Sequence, residues 1–225
     1  MKKLSKKAKQ NLELTIIIAI GVLSILLWNT PVIYPIKLFV VLLHEISHGI
    51  AAILTGGAIS EIIVSYNLGG LCKTYSGNEI VIASAGYLGS LVFGVWMFMS
   101  AYNYNHSRWL CNGLAIMFVI VTIAFISNIL GILFAVIFTL VLFLSPRYFN
   151  KTAHVYVMKG LGFVSCLYVL VDIKEDLLTL ENRVTDAHIL AQITGVSHLV
   201  WGLTWFVITL VTVYFLLKFS YKKGM

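Results

Sequence analysis

A chain of 225 residues that is 60% hydrophobic, only 11% charged and +7 in formal charge is not an ordinary soluble domain, where about half the residues are apolar and a quarter charged. Its apolar residues come in long runs, the signature of membrane spans. Lys2, Lys3, Lys6, Lys7 and Lys9 precede the first run and Lys218, Lys222 and Lys223 close the last. The positive charge therefore reads as a lipid-headgroup and topology signal and argues against nucleic-acid binding.

A basic tail, residues 1–11, leads into a first span at about Leu12 to Trp28. Trp28-Asn29-Thr30-Pro31 follows it in place of a small-residue cleavage site, so it reads as a retained anchor. A second span runs from about Ile36 to Leu54 and stops at Gly56-Gly57. Residues 58–75 alternate apolar and polar side chains, with Gly69-Gly70 offering the turn of a β-hairpin and Leu71 to Tyr75 a return strand. A third span covers about Ile80 to Tyr102. The apolar stretch from Trp109 to Leu144 is too long for one crossing at about 20 residues each and divides near Ser127-Asn128. Further spans cover about 155–173 and 198–219, with a polar segment, Lys174 to Ser197, between them.

The expected fold is one all-α polytopic membrane domain over residues 1–225, with six or seven transmembrane helices and a β-hairpin after the second span. The N-terminal lysines place that end in the cytoplasm by the positive-inside bias. Seven crossings would put the C-terminal lysines on the opposite side, so one apolar stretch is either re-entrant or miscounted. Cys72, Cys111 and Cys166 form no CxxC pair, which argues against a disulfide framework or a thiolate metal site.

The second span carries His44-Glu45-Ile46-Ser47-His48. Residues four apart share a helix face, so His44 and His48 can offer two imidazoles to one metal ion. Glu45 sits one residue round, where its carboxylate reaches a water rather than the metal; this is the logic of the HExxH motif, two ligands and a general base on one rigid element. His44 lies about 13 Å into the helix counted from Pro35 at ~1.5 Å per residue, where ionisable residues default to function. A catalytic zinc takes three protein ligands. The chain has three aspartates, Asp172, Asp176 and Asp186. Asp172 is favoured as third ligand, because Gly162, Ser165, Val169 and Asp172 share a helical stripe whose small residues suit close packing against Gly49 and Ala52. Asp176 and Asp186 are the alternatives.

His44-Glu45-Ile46-Ser47-His48-Gly49-Ile50-Ala51-Ala52 with Leu54-Thr55-Gly56-Gly57 resembles the site-2 protease family of intramembrane zinc metalloproteases, closest to its short single-domain bacterial and plant branch. Ala85 to Ser90, Val171-Asp172-Ile173, Thr185-Asp186-Ala187 and Leu190-Ala191 extend the likeness over roughly residues 36–210. The resemblance implies zinc held by His44 and His48, Glu45 as catalytic base, and cleavage of a membrane-embedded or membrane-proximal protein substrate in a bacterial cell membrane. It also implies that the hairpin is membrane-associated. The Asn-Pro-x-x-Asp-Gly-like segment that supplies the third ligand in better-known members is absent. An exposed hairpin edge near Val64 and Tyr66 suits an extended substrate added as a strand.

Other polar residues have plainer readings beside functional ones. Asn128 could donate to a developing oxyanion or cap a helix at the break. Gly86, Gly89 and Gly94 suit close helix packing, and His188 and His198 suit an interfacial setting. The rivals to a protease are a non-catalytic metal-binding regulator of the same fold and a transporter. An intact Glu45 speaks against the first, and the lack of internal repeats against the second.

Overall fold

The computed structural model describes residues 5–178 and 185–224, and side chains within these except those of residues 175–178. It is 78% helical. The elements are α1 (Lys6–Leu26), α2 (Tyr34–Leu54), β1 (Ala58–Val64), β2 (Gly70–Tyr75), α3 (Glu79–Ser100), α4 (Tyr104–Ala124), α5 (Ile129–Tyr148), α6 (Lys151–Leu178), α7 (Asp186–Thr194) and α8 (His198–Lys223). Among the described residues seven helices are long and apolar enough to cross a membrane. α1 begins several residues before the expected span because Ser5 caps it, its Oγ accepting the Ala8 N–H at 3.2 Å. The break at Ser127-Asn128 lies where the apolar length requires it. The polar segment before α8 contains α7, a short helix that composition did not announce.

α2 is the centre of the bundle. Leu38, Phe39, Val40, Val41, Leu42 and Leu43 are all buried, and a helix apolar on every side is stable only when enclosed on every side. The protein covers 78% of the α2 span, against 22% for α1 and for α8. α6 does not pack on Gly49 and Ala52 as its small stripe suggested. Its Gly162 lies against α3, where a Cβ would fall 2.5 Å from the Gly94 carbonyl oxygen, while Gly49 of α2 faces Ile59 of the hairpin.

Contacts between residues distant in sequence show which helix ends meet. α3 ends beside the start of α1, where the Tyr102 hydroxyl donates to Glu13 at 2.9 Å. α8 ends there too, with the Gln10 amide donating to the Lys222 carbonyl at 3.5 Å. α2 starts where α1 ends, Lys37 sitting 4.5 Å from the Trp28 ring, and α2 finishes against the start of α3, where the Asn78 N–H donates to Thr55 Oγ1 at 2.9 Å. Both lysine-bearing ends therefore lie together. The same end holds a buried ion pair between Glu13 and Lys159, with the Tyr156 hydroxyl also donating to Glu13 at 3.3 Å. Two charges removed from solvent persist only when paired, and these join α1 to α6.

The hairpin turns earlier than its glycines suggested. β1 ends at Val64, the Ser65 N–H donates to the Gly69 carbonyl at 2.8 Å, and Gly70 is already the first residue of β2. Asn67 Oδ1 accepts the Gly69 N–H at 3.2 Å, the local bond that makes Asn a turn residue. Leu68 takes φ 64°, which is unusual for a branched side chain. Tyr66 therefore lies in the turn, exposed, with its carbonyl accepting the Tyr34 hydroxyl at 2.8 Å.

Candidate metal centre

His44, Glu45 and His48 lie mid-way along α2, so the enclosing bundle fixes their backbone before any ligand is considered. The imidazole rings stand 4.7 Å apart and nearly perpendicular, at 77°. His48 Nδ1 lies 2.7 Å from the Ile82 carbonyl oxygen. A carbonyl only accepts, so Nδ1 carries the proton and Nε2 presents its lone pair inward, the second-sphere arrangement of metal-binding histidines. Tyr87 stands edge-on to His44 with ring centroids 5.1 Å apart and holds that ring from the side.

The carboxylate brought to these nitrogens is that of Asp186, at the first turn of α7. Asp186 Oδ2 is 3.1 Å from His44 Nε2 and 3.4 Å from His48 Nε2. Ligand atoms of the three residues all lie within 4.8 Å of one another. A tetrahedral zinc with bonds of roughly 2.0–2.1 Å holds neighbouring donors roughly 3.3 Å apart, so the donor set fits such an ion. Asp186 Oδ2 is buried and has no hydrogen-bond partner among the described residues, although two imidazole nitrogens face it. A buried oxygen in that position calls for a cation or a proton. Asp172, the favoured third ligand on sequence grounds, lines the same cavity but is not in the group of converging donors. The side chain of Asp176 lies outside the described residues.

Two glycines let other elements close on the site. A Cβ on Gly86 of α3 would meet the Nε2 atoms of both histidines, 2.6 Å from that of His48. A Cβ on Gly70 of β2 would lie 2.6 Å from Glu45 Cδ, so the hairpin backbone rests directly on the Glu45 carboxylate. Glu45 is buried and lines, with both histidines, Asp172 and Asp186, a cavity of about 370 Å³ whose hairpin wall is the outer edge of β2. Burial, and then the Glu45 charge, push the Cys72 thiol up to about 12.

The residues expected to touch substrate are arranged otherwise. Val64 is fully buried, and both its peptide groups pair with the Asn128 side chain, at 3.1 and 2.6 Å. Asn128 therefore neither points an amide into the cavity nor caps α5 with its side chain. The outer side of β1 is taken by residues 125–127, so it is β2 that lines the cavity. Gly89 and Gly94 serve packing, against Ser47 and against α6. His188 and His198 stack at 4.3 Å away from the converging donors. The sequence signal for Asp186 is local: Thr185 precedes it at the N-cap position, and Ala187 and Leu190 then form a buried face. That is a short amphipathic helix opening on a carboxylate.

No curated protein and no solved structure matches the chain. A family model described as Peptidase M50B-like matches residues 17–216. That match covers the metal helix, the hairpin, α3 to α7 and most of α8, and the chain belongs to this family, within the site-2 protease family of membrane metalloproteases.

Proposed function

We propose that the protein is an intramembrane zinc metalloendopeptidase that hydrolyses a peptide bond of a membrane-embedded or membrane-proximal protein substrate, with His44, His48 and Asp186 as zinc ligands and Glu45 as general base. The observation that carries this reading is the convergence of two imidazole nitrogens and a buried carboxylate oxygen within 4.8 Å, in one cavity with Glu45. His44, His48 and Asp186 would hold a zinc ion, which when bound would polarise the scissile carbonyl and lower the pKa of a water. Glu45 is the group placed to take a proton from the attacking water and return it to the leaving amine. The edge of β2 offers backbone groups to an unwound substrate segment lying across the cavity. A peptide bond inside a transmembrane helix is shielded by its own backbone hydrogen bonds, so an extended binding mode answers a requirement of the reaction. Asp172, on the cavity wall, is then a second carboxylate that tunes the site without ligating.

The two lysine-bearing ends lie together, which suits a cytoplasmic location for both by the positive-inside bias. Reconstituted host membranes provide the test. Fresh protein termini that appear with the zinc-loaded enzyme should vanish after chelation and return when zinc is restored, as read by mass spectrometry of new N-termini. Termini that persist in metal-free protein overturn the reading.

A further inference from the structure

Asn128 sits at the N-cap position of α5, where an asparagine ordinarily bonds the first turn of its own helix. Here it does not. Its carboxamide reaches back to the hairpin, where Oδ1 accepts the Val64 N–H at 3.1 Å and Nδ2 donates to the Val64 carbonyl at 2.6 Å. The preceding residues extend the same contact through the backbone. The Ile62 N–H donates to the Phe125 carbonyl at 2.8 Å and the Ser127 N–H to the Ile62 carbonyl at 3.2 Å. β1 thus has β2 antiparallel on one side and a single parallel bridge from Ile62 to Ile126 of the α4–α5 break on the other. A two-stranded hairpin alone is marginal, and this docking gives it a fixed position.

The contact continues toward the metal centre. Val64 is opposite Gly70 in the sheet register, and Gly70 rests on the Glu45 carboxylate. Gly131, one turn into α5, leaves room for the clamp, since a Cβ there would fall 2.8 Å from Asn128 Oδ1. We infer that Asn128 is a positioning residue for the general base: by clamping the peptide groups of Val64 to the α4–α5 break, it holds β2 against Glu45 and fixes the orientation of that carboxylate. The catalytic part of this inference rests on the protease reading; the seating of the hairpin does not.

Cys72 reports on the seating, because it is partly exposed whereas Cys111 and Cys166 are buried. The experiment measures maleimide labelling of Cys72, zinc content, kcat and KM on the purified full-length protein. Asn128→Ala should label about tenfold faster, the change expected on losing two hydrogen bonds. Its kcat should fall roughly 100-fold through misplacement of the base, with KM and zinc content little changed. A merely structural role would instead lower the folded, zinc-loaded fraction and leave kcat per zinc unaltered. Gly131→Ala, which crowds the carboxamide, and Asn128→Asp, which sets an oxygen against the Val64 carbonyl, should shift both readouts the same way and serve if Asn128→Ala does not fold. Unchanged Cys72 labelling, or faster labelling with unchanged kcat per zinc, overturns the inference. If the wild type cleaves nothing, the protease reading fails, while the labelling rates still decide whether Asn128 seats the hairpin.

Discussion

Replacing Asp186 with asparagine is expected to strip the centre of its metal, whereas Asp172→Asn is expected to leave it loaded. Asp186 Oδ2 is the atom within 3.4 Å of both Nε2 nitrogens, and it is buried without a hydrogen-bond partner among the described residues. An asparagine keeps the volume but removes the anion that balances a divalent cation and can set an N–H₂ group against two imidazole lone pairs. Loss of second-sphere partners typically weakens metal binding by 10–100-fold; loss of one of three direct ligands should weaken it by at least about 100-fold on the same scale. Asp172→Asn should stay within about tenfold of wild type, as befits a group that lines the cavity without joining the donor set. Zinc retained per protein after dialysis against a competing chelator separates the two. The opposite order, with Asp172→Asn emptied and Asp186→Asn full, would return the third position to Asp172.

Glu45→Gln is the second large effect. The substitution keeps the shape of the side chain that Gly70 rests on, so the hairpin should stay seated and zinc should stay bound. What it removes is the capacity to take a proton. General base catalysis contributes roughly 10²–10⁴-fold, and kcat should fall by that range with zinc stoichiometry unaltered. A variant that keeps full turnover would sink the assignment of Glu45. One that loses its zinc would show that Glu45 belongs to the ligand set.

The parts of the site that lie on one element were legible in the sequence. His44, Glu45 and His48 are placed by helical spacing alone, and the unbroken apolar run from Leu38 to Leu43 announces the enclosed helix that carries them. The crossing pattern was partly legible. Lysines at both ends of the chain are hard to reconcile with seven crossings, yet the two lysine-bearing ends meet, the Gln10 amide donating to the Lys222 carbonyl. What could not be read depends on contacts between elements distant in sequence. Asp186 reaches the histidines because α7 packs against α3, and nothing in the local pattern of Lys174 to Ser197 fixes where that helix docks. Gly69-Gly70 looks like a turn because glycine is the usual turn residue, yet Gly70 lies in β2, where the Glu45 carboxylate leaves no room for a side chain. The small stripe on α6 is a packing surface, but its sequence does not name the partner, since Gly94 on α3 is as permissive as Gly49 on α2. Asn128 was recognised as a polar residue at a break, but its bonds run to a strand 64 residues earlier.

The most direct test of the metal centre is the zinc K-edge absorption spectrum of the purified full-length protein in detergent, recorded for wild type and for Asp186→Asn reloaded with zinc. The arrangement of His44, His48 and Asp186 predicts one zinc per chain, with two imidazole ligands and oxygen in the remaining positions. It also predicts a spectrum that changes in its oxygen shell when Asp186 is replaced. A protein that binds no stoichiometric zinc, or a sulfur shell from Cys72, or an identical spectrum in the Asp186→Asn protein, would contradict it.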